Sequence, residues 1–353
     1  MDAALQDLRR CVKDAHGAKR PLRLCGAGTK DFYGECRAGT LLDMRGYRGV
    51  VDYEPSELVI TARCGTTLSE LEGLLARHQQ FLAFEPPAFG GDPTIGGIIA
   101  AGLSGPRRSQ AGAARDFVLG AILLSAQGEL LHFGGKVIKN VAGFDVARLL
   151  CGSLGILGPI TEVSLKVLPL PRAQQTLRFE MPADEALATF NRWAGQPLPI
   201  SATAWCDGQA WVRLSGAPAA LATARERLGG ERLEADQADH WWSGLRHQTH
   251  AFFRQASTLW RLSLPSTAAP LAIAGAQLIE WGGALRWWAS EQSAAQVRAL
   301  ASAAGGTALH WRGGIAGNRF HPLAPAVLEI HRRLKARFDP HGIFNPGRLI
   351  ADL

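Results

Sequence analysis

The segment Pro93-Thr-Ile-Gly-Gly-Ile-Ile-Ala-Ala-Gly102 combines three glycines and a threonine with otherwise apolar residues. Four further segments in the first half of the chain also place backbone without side chains beside a hydroxyl or an amide: Cys25-Gly-Ala-Gly-Thr-Lys30, Ser104-Gly105, Lys139-Asn-Val-Ala-Gly-Phe-Asp145 and Gly152-Ser-Leu-Gly-Ile-Leu-Gly158. Bare backbone N–H groups of this kind can close on phosphate oxygens. Together the five segments predict a site for a large anionic cofactor, most simply one with a diphosphate, an adenine and an electron-carrying ring.

The standard nucleotide-binding loops do not account for these segments. A dinucleotide fingerprint starting at Gly26 would need a third glycine at position 31, which is Asp, and a strand-like run returns at Leu41–Met44 before a helix could form. A phosphate-binding loop ending at Gly135-Lys136 fails because Val137 follows it. One glycine loop is more often a plain turn, so their number in one domain favours the cofactor.

Glycine and tryptophan divide the chain into two parts. The first 171 residues hold 24 of the 40 glycines, whereas all 10 tryptophans lie between Trp193 and Trp311. At roughly 100–200 residues per domain, a chain of 353 residues predicts two domains. We place the boundary at Pro169-Leu-Pro171 and predict an α+β fold with a first domain over 1–171, a second over 172–322, and a C-terminal helix and tail over 323–353.

Apolar periodicity indicates the elements of both domains. In the first domain it predicts strands at 22–25, 41–44, 50–53 and 58–63, a helix over Thr67–His78 with a capping box, a hairpin of 116–125 with 129–133, and a strand within 156–168. In the second it predicts two successive β-α-β-β-like units, with a ferredoxin-like antiparallel sheet and helices on one face. The second unit comprises 259–264, Thr267–Gly275, a hairpin of 277–281 with 284–288, and a helix over 293–304. A last helix is predicted over Pro325–Phe338.

The net charge of +7 does not indicate a nucleic-acid-binding protein. Positive residues are spread thinly, and the one dense run, His331–Arg337, lies on the predicted helix with the apolar stripe Val327, Ile330 and Leu334. We interpret it as a solvated helix face, and a contact with a protein or with anionic lipid remains open.

Neither a membrane span nor a metal site is predicted. No run of about 18 uncharged apolar residues occurs. The six cysteines form no CxxC pair and no cluster with zinc or iron–sulfur spacing, so we expect reduced thiols and no bound metal. We expect a cytoplasmic protein, with peripheral association with the inner membrane through partners left open.

These segments resemble the FAD-binding domain of the vanillyl-alcohol oxidase and p-cresol methylhydroxylase family, in the same order over roughly residues 15–171. The stretch 134–145, Leu149–Gly158 and the end motif Phe338-Asp-Pro-His-Gly-Ile-Phe-Asn-Pro-Gly347 are similar to the subgroup with glycolate oxidase and D-lactate dehydrogenase. Ser104–Arg108, Arg115–Gly120 and Glu280–Trp288 extend the resemblance to the FAD-binding subunits of bacterial glycolate oxidase. The resemblance implies a two-subdomain FAD-binding domain, a cap domain over the flavin ring, and a tail that returns to the flavin domain.

The resemblance also implies the residues that hold FAD. The predicted set comprises Gly26, Ala27, Gly28, Thr29, Lys30, Pro93, Thr94, Gly96, Gly97, Gly102, Ser104, Gly105, Lys139, Asn140, Gly152, Ser153, Gly155 and Ile160. Some relatives attach the flavin through His or Cys. Neither residue occurs in Gly26–Thr29 or Gly91–Gly97, so we expect non-covalent FAD.

Catalytic residues are less clearly indicated. Arg286 is a candidate to bind a substrate carboxylate, because a guanidinium grips a carboxylate in bidentate fashion, although a surface salt bridge is an equal alternative. His310, His321 and Asn345 are the other candidates. Active dehydrogenases of the subgroup carry histidine-rich segments before the final helix, and this chain has no such pair between His310 and His321. We interpret most of the tryptophans as core residues and expect one each of Trp241-Trp242 and Trp287-Trp288 to reach a cleft or a partner.

Two hypotheses therefore remain open for the activity. In the first, the chain is a catalytic flavin subunit that oxidises glycolate, a 2-hydroxy acid, to glyoxylate and passes electrons to an iron–sulfur subunit. In the second, it is a flavin relay or assembly subunit, and a paralogous FAD subunit oxidises the alcohol. A third and less favoured hypothesis is a free-standing D-lactate-type dehydrogenase. The expected partners are the paralogous FAD subunit, the iron–sulfur subunit and a small 2-hydroxy acid.

Overall fold

The computed structural model describes residues 2–35, 38–135, 144–314, 318–351 and 353. Its chain forms two compact units. The first comprises 1–103, 113–169 and 322–353, and the second comprises 104–112 and 170–321. Residues 104–112, which we expected in the first domain, thus belong to the second unit. The assignment of an FAD-binding domain and a cap domain stays a prediction.

The described residues contain both strands and helices in the following order. The strands are β1 (Leu22–Cys25), β2 (Thr40–Asp43), β3 (Val50–Glu54), β4 (Val59–Arg63), β5 (Gln80–Phe81), β6 (Val118–Leu124), β7 (Leu130–Gly134), β8 (Ile160–Lys166), β9 (Leu168–Pro169), β10 (Ala173–Glu180), β11 (Ile200–Cys206), β12 (Gln209–Gly216), β13 (Glu231–Arg232), β14 (Leu259–Ser263), β15 (Gln277–Glu280), β16 (Leu285–Ala289) and β17 (Thr307–Arg312). The helices are α1 (Ala3–Gly17), α2 (Leu68–Arg77), α3 (Ile95–Ala101), α4 (Arg108–Ala111), α5 (Ala114–Phe117), α6 (Val146–Leu150), α7 (Ala183–Ala194), α8 (Pro218–Leu228), α9 (Ala235–His247), α10 (Ala251–Gln255), α11 (Ala294–Ala303) and α12 (Pro325–Phe338).

The described part of the first unit contains a two-stranded parallel sheet, a five-stranded antiparallel sheet and the short antiparallel pair β5-β9. β1 and β2 pair in parallel. An antiparallel sheet has the strand order β3-β4-β8-β6-β7. The capping box predicted at Thr67 forms, because Thr67 accepts from the backbone of Glu70 while the Glu70 side chain accepts from the backbone of Thr67. The predicted α+β class is confirmed.

The C-terminal tail adds a third strand-like segment beside β1. The amide of Leu22 donates to Ile343 O over 2.7 Å, and the amide of Asn345 donates to Leu22 O over 2.9 Å. Apolar side chains reinforce this pairing, since Ile343 and Phe344 are fully buried in one cluster with Leu8 and Val12 of α1. The tail therefore joins the first strand of the unit although more than three hundred residues separate them in sequence.

A buried ion pair shapes the turn that leads from α12 into this tail. Lys335 Nζ lies 2.7 Å from Asp339 Oδ2 and also donates to the carbonyls of Ile156 and Phe344, each over 2.7 Å. The Asp339 carboxylate accepts in addition from the amides of Ile343 and Phe344. Burial lowers the pKa of Lys335 while Asp339 opposes that shift. Every donor of the ammonium has a partner, as a buried charge requires.

The second unit is one eight-stranded antiparallel sheet with the order β13-β10-β12-β11-β15-β16-β14-β17. If β10 to β13 are numbered 1 to 4, their order in the sheet is 4-1-3-2. If β14 to β17 are numbered 1 to 4 in the same way, their order is 2-3-1-4, which is the reverse. This is the ferredoxin-like arrangement, used twice and joined edge to edge where β11 pairs with β15.

Helices cover both faces of this sheet, so the prediction of helices on one face is wrong. Leu177 of β10 packs with the buried residues of α7 and α8. The next residue back, Thr176, faces the other way and accepts from Trp242 Nε1 of α9 over 2.9 Å. Neither α9 nor α10 was predicted, because the polar residues of 231–240 give no clear apolar period and α10 has only five residues.

Covering both faces also buries the paired tryptophans. Trp288 packs in the α11 cluster and Trp287 contacts Phe253 of α10, so that 1% and 4% of their surfaces remain exposed. The expectation that one of this pair reaches a cleft or partner is therefore wrong.

The segment Thr267–Gly275 lies where the repeat would have a helix, but it forms neither helix nor strand. It contains Pro270, which disfavours a helix.

We expect the Lys335–Asp339 pair to be important for stability. Replacing Lys335 by Met leaves the Asp339 carboxylate buried without its cation, which costs about 3–5 kcal/mol in the free energy of unfolding. The control on the same helix is Arg333→Met, which breaks the exposed Arg333–Glu329 pair at the same i,i+4 spacing and costs less than about 0.5 kcal/mol. Urea unfolding of both variants measures the difference, and equal losses would contradict the assignment.

Candidate cofactor site

Two adjoining open cavities lie in the first unit, and glycine-rich segments form much of their walls. They form one continuous groove, which we call the glycine groove, because both are walled by Cys25, Gly26, Thr94, Gly97, Leu154 and Asn345.

The loop Gly26–Lys30 leaves β1 and forms one wall of the groove. No acceptor among the described residues takes a hydrogen bond from its five consecutive backbone amides. Gly28 has φ +71°, a left-handed conformation that glycine adopts without steric cost. A row of unsatisfied N–H groups beside a groove is the arrangement that phosphate oxygens bind.

The opposite wall is the start of α3, which approaches the loop very closely. A Cβ on Gly26 would lie 2.1 Å from Thr94 Oγ1, so only glycine fits there. Thr94 Oγ1 accepts from the amide of Gly97 over 3.3 Å and so caps the helix. The amides of Ile95 and Gly96 are already bonded to the carbonyls of Thr66 and Cys64. The loop, rather than α3, therefore offers the amides to an anion.

Lys30 supplies a cation to the groove. Its side chain is 9% exposed, its Nζ donates to Thr29 Oγ1 over 3.3 Å, and its ammonium lies 5.5 Å from the centre of the Phe89 ring. Burial lowers the pKa of Lys30 to about 8. An anionic ligand in the groove would favour the charged form of this lysine.

Two residues of the C-terminal tail hold the loop in place. Asn345 accepts from the amide of Leu24 through Oδ1 and donates through Nδ2 to Leu154 O, both over 2.7 Å. The Arg348 guanidinium holds the segment that begins at the end of the loop. It donates over 2.5–3.2 Å to the carbonyls of Lys30, Asp31, Tyr33 and Glu35. The tail thus fixes both ends of the loop Gly26–Lys30.

The structure brings most of the predicted FAD residues together in the groove. These are Gly26, Ala27, Gly28, Thr29, Lys30, Pro93, Thr94, Gly96, Gly97, Gly155 and Ile160. Gly102 and Gly152 do not line it but lie against each other, since a Cβ on Gly102 would be 3.0 Å from Gly152 Cα, and Ser153 is buried beside them. Ser104 and Gly105 belong to the second unit. Lys139 and Asn140 lie outside the described residues.

Several groove residues were not predicted from the sequence. Arg348, Leu154 and Cys64 line it, and Asn345, predicted as a catalytic candidate, is part of its wall. The end motif that includes Asn345 was a usable signal for the tail. Leu154 lies within the predicted glycine segment 152–158 and Arg348 directly follows the end motif, but the contacts that define their roles are with segments distant in sequence.

Arg286 lies in the second unit and is committed to backbone carbonyls. Only 2% of its surface is exposed, and it donates to the carbonyls of Gly283, Ala268 and Ala269. Burial lowers the pKa of Arg286. A guanidinium nevertheless stays charged over the usual range of pH. These contacts favour a role in holding the loop around 268–269, and the role in binding a substrate carboxylate stays a prediction.

The two candidate histidines lie in structural settings. His310 is 3% exposed and packs 5.0 Å from the Trp260 ring, and no described residue bonds its Nε2. The Nδ1 of His321 accepts from the amide of Ala308 over 3.3 Å, and its Nε2 lies 3.4 Å from Ser302 Oγ. Burial lowers the pKa of both imidazoles. Their catalytic roles stay predictions.

Over the described ranges, no group of three or more His, Cys, Asp or Glu is arranged to hold a metal ion. In the same part of the chain, no helix has the length and apolar character needed to cross a bilayer.

Comparison with protein families defines the class to which the fold and groove belong. Residues 3–134 match the family described as "FAD binding domain", and 286–349 match "FAD linked oxidases, C-terminal domain". The chain is therefore an FAD-dependent oxidoreductase of the FAD-linked oxidases, and the prediction of FAD is confirmed. The open amides, the glycine-only approach at Gly26 and the cation of Lys30 fit its diphosphate.

Individual relatives identify the family more closely. The chain is 45% identical over 351 residues to glycolate oxidase subunit GlcE of Escherichia coli, covering 99% of this chain and 97% of that protein. It is 25% identical to a D-lactate dehydrogenase of Archaeoglobus fulgidus, covering 86% and 80% of the two chains. Among solved structures, alkyldihydroxyacetonephosphate synthase shares the fold with a TM-score of 0.68 at 15% identity, over 98% of this chain and 76% of that one. The chain belongs to the family of glycolate oxidase subunit GlcE, as its sequence motifs predicted.

We expect Gly26→Ala to impair FAD binding. The added methyl group would displace Thr94 or the loop, and a loss of about tenfold in affinity is expected. The control is Gly73→Ala, since no atom lies within 4 Å of a Cβ at that position of α2. Flavin bound per protein after purification, together with FAD titration of the apoprotein, measures the effect. Full flavin content in the first variant would contradict the assigned wall.

We expect FAD affinity to depend on pH through Lys30. Below pH 8 its ammonium is already present in the FAD-free protein, so affinity should be constant. Above pH 8 binding must take up a proton, so the dissociation constant should rise by up to about tenfold per pH unit.

The matched variants isolate this effect. Lys30→Gln should bind FAD about 10–100-fold more weakly at pH 7 and lose the rise above pH 8. Lys13→Gln, on the exposed face of α1, should retain the wild-type profile. Equilibrium titration by flavin fluorescence gives both curves, and an unchanged profile in Lys30→Gln would refute the assignment.

Proposed function

We propose that this chain is an FAD-carrying subunit of a multi-subunit glycolate oxidase, which converts glycolate to glyoxylate and passes the electrons to an iron–sulfur subunit. The observation that carries the proposal is the match to a glycolate oxidase subunit over almost the full length of both chains. The groove in the first unit supports it, because the open amides and the cation suit a dinucleotide.

The residues of the groove would bind and orient the cofactor. The amides of Gly26–Lys30 would donate to the diphosphate, and Lys30 would neutralise part of its charge. Asn345 and Arg348 would act on FAD only through the loop they hold. When bound, FAD supplies an acceptor for the hydride that leaves the hydroxyl-bearing carbon of a 2-hydroxy acid.

A second candidate is a flavin relay or assembly subunit, with the alcohol oxidised on a paralogous FAD subunit. One observation favours it. Oxidation needs a cation for the carboxylate and a base for the hydroxyl proton. Arg286 is bonded to three carbonyls, His310 is buried beside the Trp260 ring, and His321 accepts from the amide of Ala308.

The proposal also assigns the partner subunits, the roles of the two units and the substrate. The partners would be the paralogous FAD subunit and the iron–sulfur subunit, and peripheral contact with the inner membrane would come through them. The first compact unit would be the FAD-binding domain and the second the cap domain, with the substrate a small 2-hydroxy acid.

Anaerobic spectroscopy of the purified chain with FAD tests these alternatives. Bleaching of the flavin by glycolate, but not by buffer, is the result expected for a catalytic subunit. If glycolate does not bleach the flavin of the purified chain but does bleach the flavin after co-expression with both partner subunits, the chain has the relay role. Bleaching by D-lactate and not glycolate would overturn the glycolate assignment, and a chain that binds no FAD in any of these preparations would overturn the proposal as a whole.

A further inference from the structure

The helix α12 lies on the first unit with most of its surface uncovered. Lys335 is its only buried residue. Ile330 is 57% exposed and Val327 is 41% exposed, and both are among the most exposed large apolar residues of the described chain. Val327, Ile330, Arg333 and Arg337 follow one another at three- and four-residue steps, so they share one side of the helix. We call this side the α12 face.

Other exposed apolar residues lie near β7, the strand that the end of α12 contacts. Phe338, at the end of α12, packs 6.2 Å from Phe133 of β7, which is the edge strand of its sheet. The helix α6 also packs on β7 and exposes 40% of Leu149. Phe144, just before α6, is 96% exposed. Exposed apolar residues gathered along one edge are typical of interaction surfaces.

Charge makes this surface distinctive. α12 contains four cationic side chains and one carboxylate, Glu329. Lys335 is turned inward to Asp339, whereas Arg332, Arg333 and Arg337 are exposed. The α12 face therefore presents an aliphatic pair flanked by guanidinium groups, which an apolar groove rimmed by carboxylates would complement.

We infer that the α12 face is a docking site for an acidic, groove-bearing protein surface, namely that of another subunit of the proposed oxidase. Ile330 would be the anchor in the apolar floor, and Arg337 would pair with a carboxylate of the rim. Arg333 would do the same by exchanging its exposed partner Glu329 for a carboxylate of the other subunit. The inference rests on the proposed function, because that function supplies the partner subunits.

The observations favour a protein over an anionic membrane. Helices that lie in a membrane interface insert a broad apolar side that is usually rich in Trp, Phe and Leu. The exposed part of α12 offers only one valine and one isoleucine, and its Phe338 and Leu334 are half-buried. The Lys335–Asp339 pair also fixes the helix to the tail, so the face is already ordered before a partner binds.

Co-expression with the paralogous FAD subunit and the iron–sulfur subunit tests the inference. Ile330→Asp and Arg337→Glu should each weaken the complex by about 30-fold or more, measured by size exclusion and by titration of the purified subunits. The controls are Leu41→Asp, at a side chain exposed by 51% on β2, and Arg227→Glu, in the last turn of α8. Flavin content and urea midpoint should be unchanged in all four variants.

The outcomes separate this inference from the proposed function. Loss of the complex in the two α12 variants, with both controls intact, supports the docking site. Wild type and all variants assembling equally would overturn the site while leaving the proposed function standing. Wild-type chain that forms no complex overturns both. Binding to phosphatidylcholine–phosphatidylglycerol vesicles that Arg337→Glu abolishes, with the complex intact, would replace the protein partner by a membrane.

Discussion

The carboxylate of Asp339 is the group on which the first unit depends. It pairs with Lys335 and accepts from the amides of Ile343 and Phe344, so one side chain closes the turn between α12 and the tail. That turn delivers the tail to β1, where Asn345 bonds Leu24. Because β1 runs directly into a loop that walls the glycine groove, a buried ion pair near the C-terminus sets the geometry of a site near the N-terminus.

The glycine groove presents two kinds of group that suit an anion, namely backbone amides and the ammonium of Lys30. Its backbone amides are fixed dipoles, whose directions are set by the loop and do not change with pH. Lys30 is a titratable cation placed where burial lowers its pKa to about 8. A buried lysine of this kind costs stability in the cofactor-free protein, and an anionic ligand recovers that cost on binding. The site is thus built for its ligand rather than for the stability of the empty fold.

The second unit shows why residues rich in functional chemistry need not form an active site. Its two ferredoxin-like halves make one sheet with helices on both faces, so alternate residues of a strand are buried on opposite sides. Trp287 and Trp288 fill those two layers. Arg286, between Leu285 and Trp287, is bonded to the loop at 268–269. Arg286 and the two tryptophans that follow it are, in their observed contacts, parts of a core, and a role for Arg286 in binding a substrate carboxylate stays a prediction.

The sequence by itself determined the local elements and the chemistry of the loops. The helix Pro325–Phe338 occupies the predicted residues because its period and its ends are encoded within a few turns. The glycine loops were identifiable because few residues other than glycine permit their backbone. Only the tertiary structure decided that Ser104–Gly112 joins the second unit, that Asn345 lies in the groove wall, and that Arg348 binds the loop after Lys30. Those contacts join segments up to about three hundred residues apart, and no local pattern records a partner at that distance.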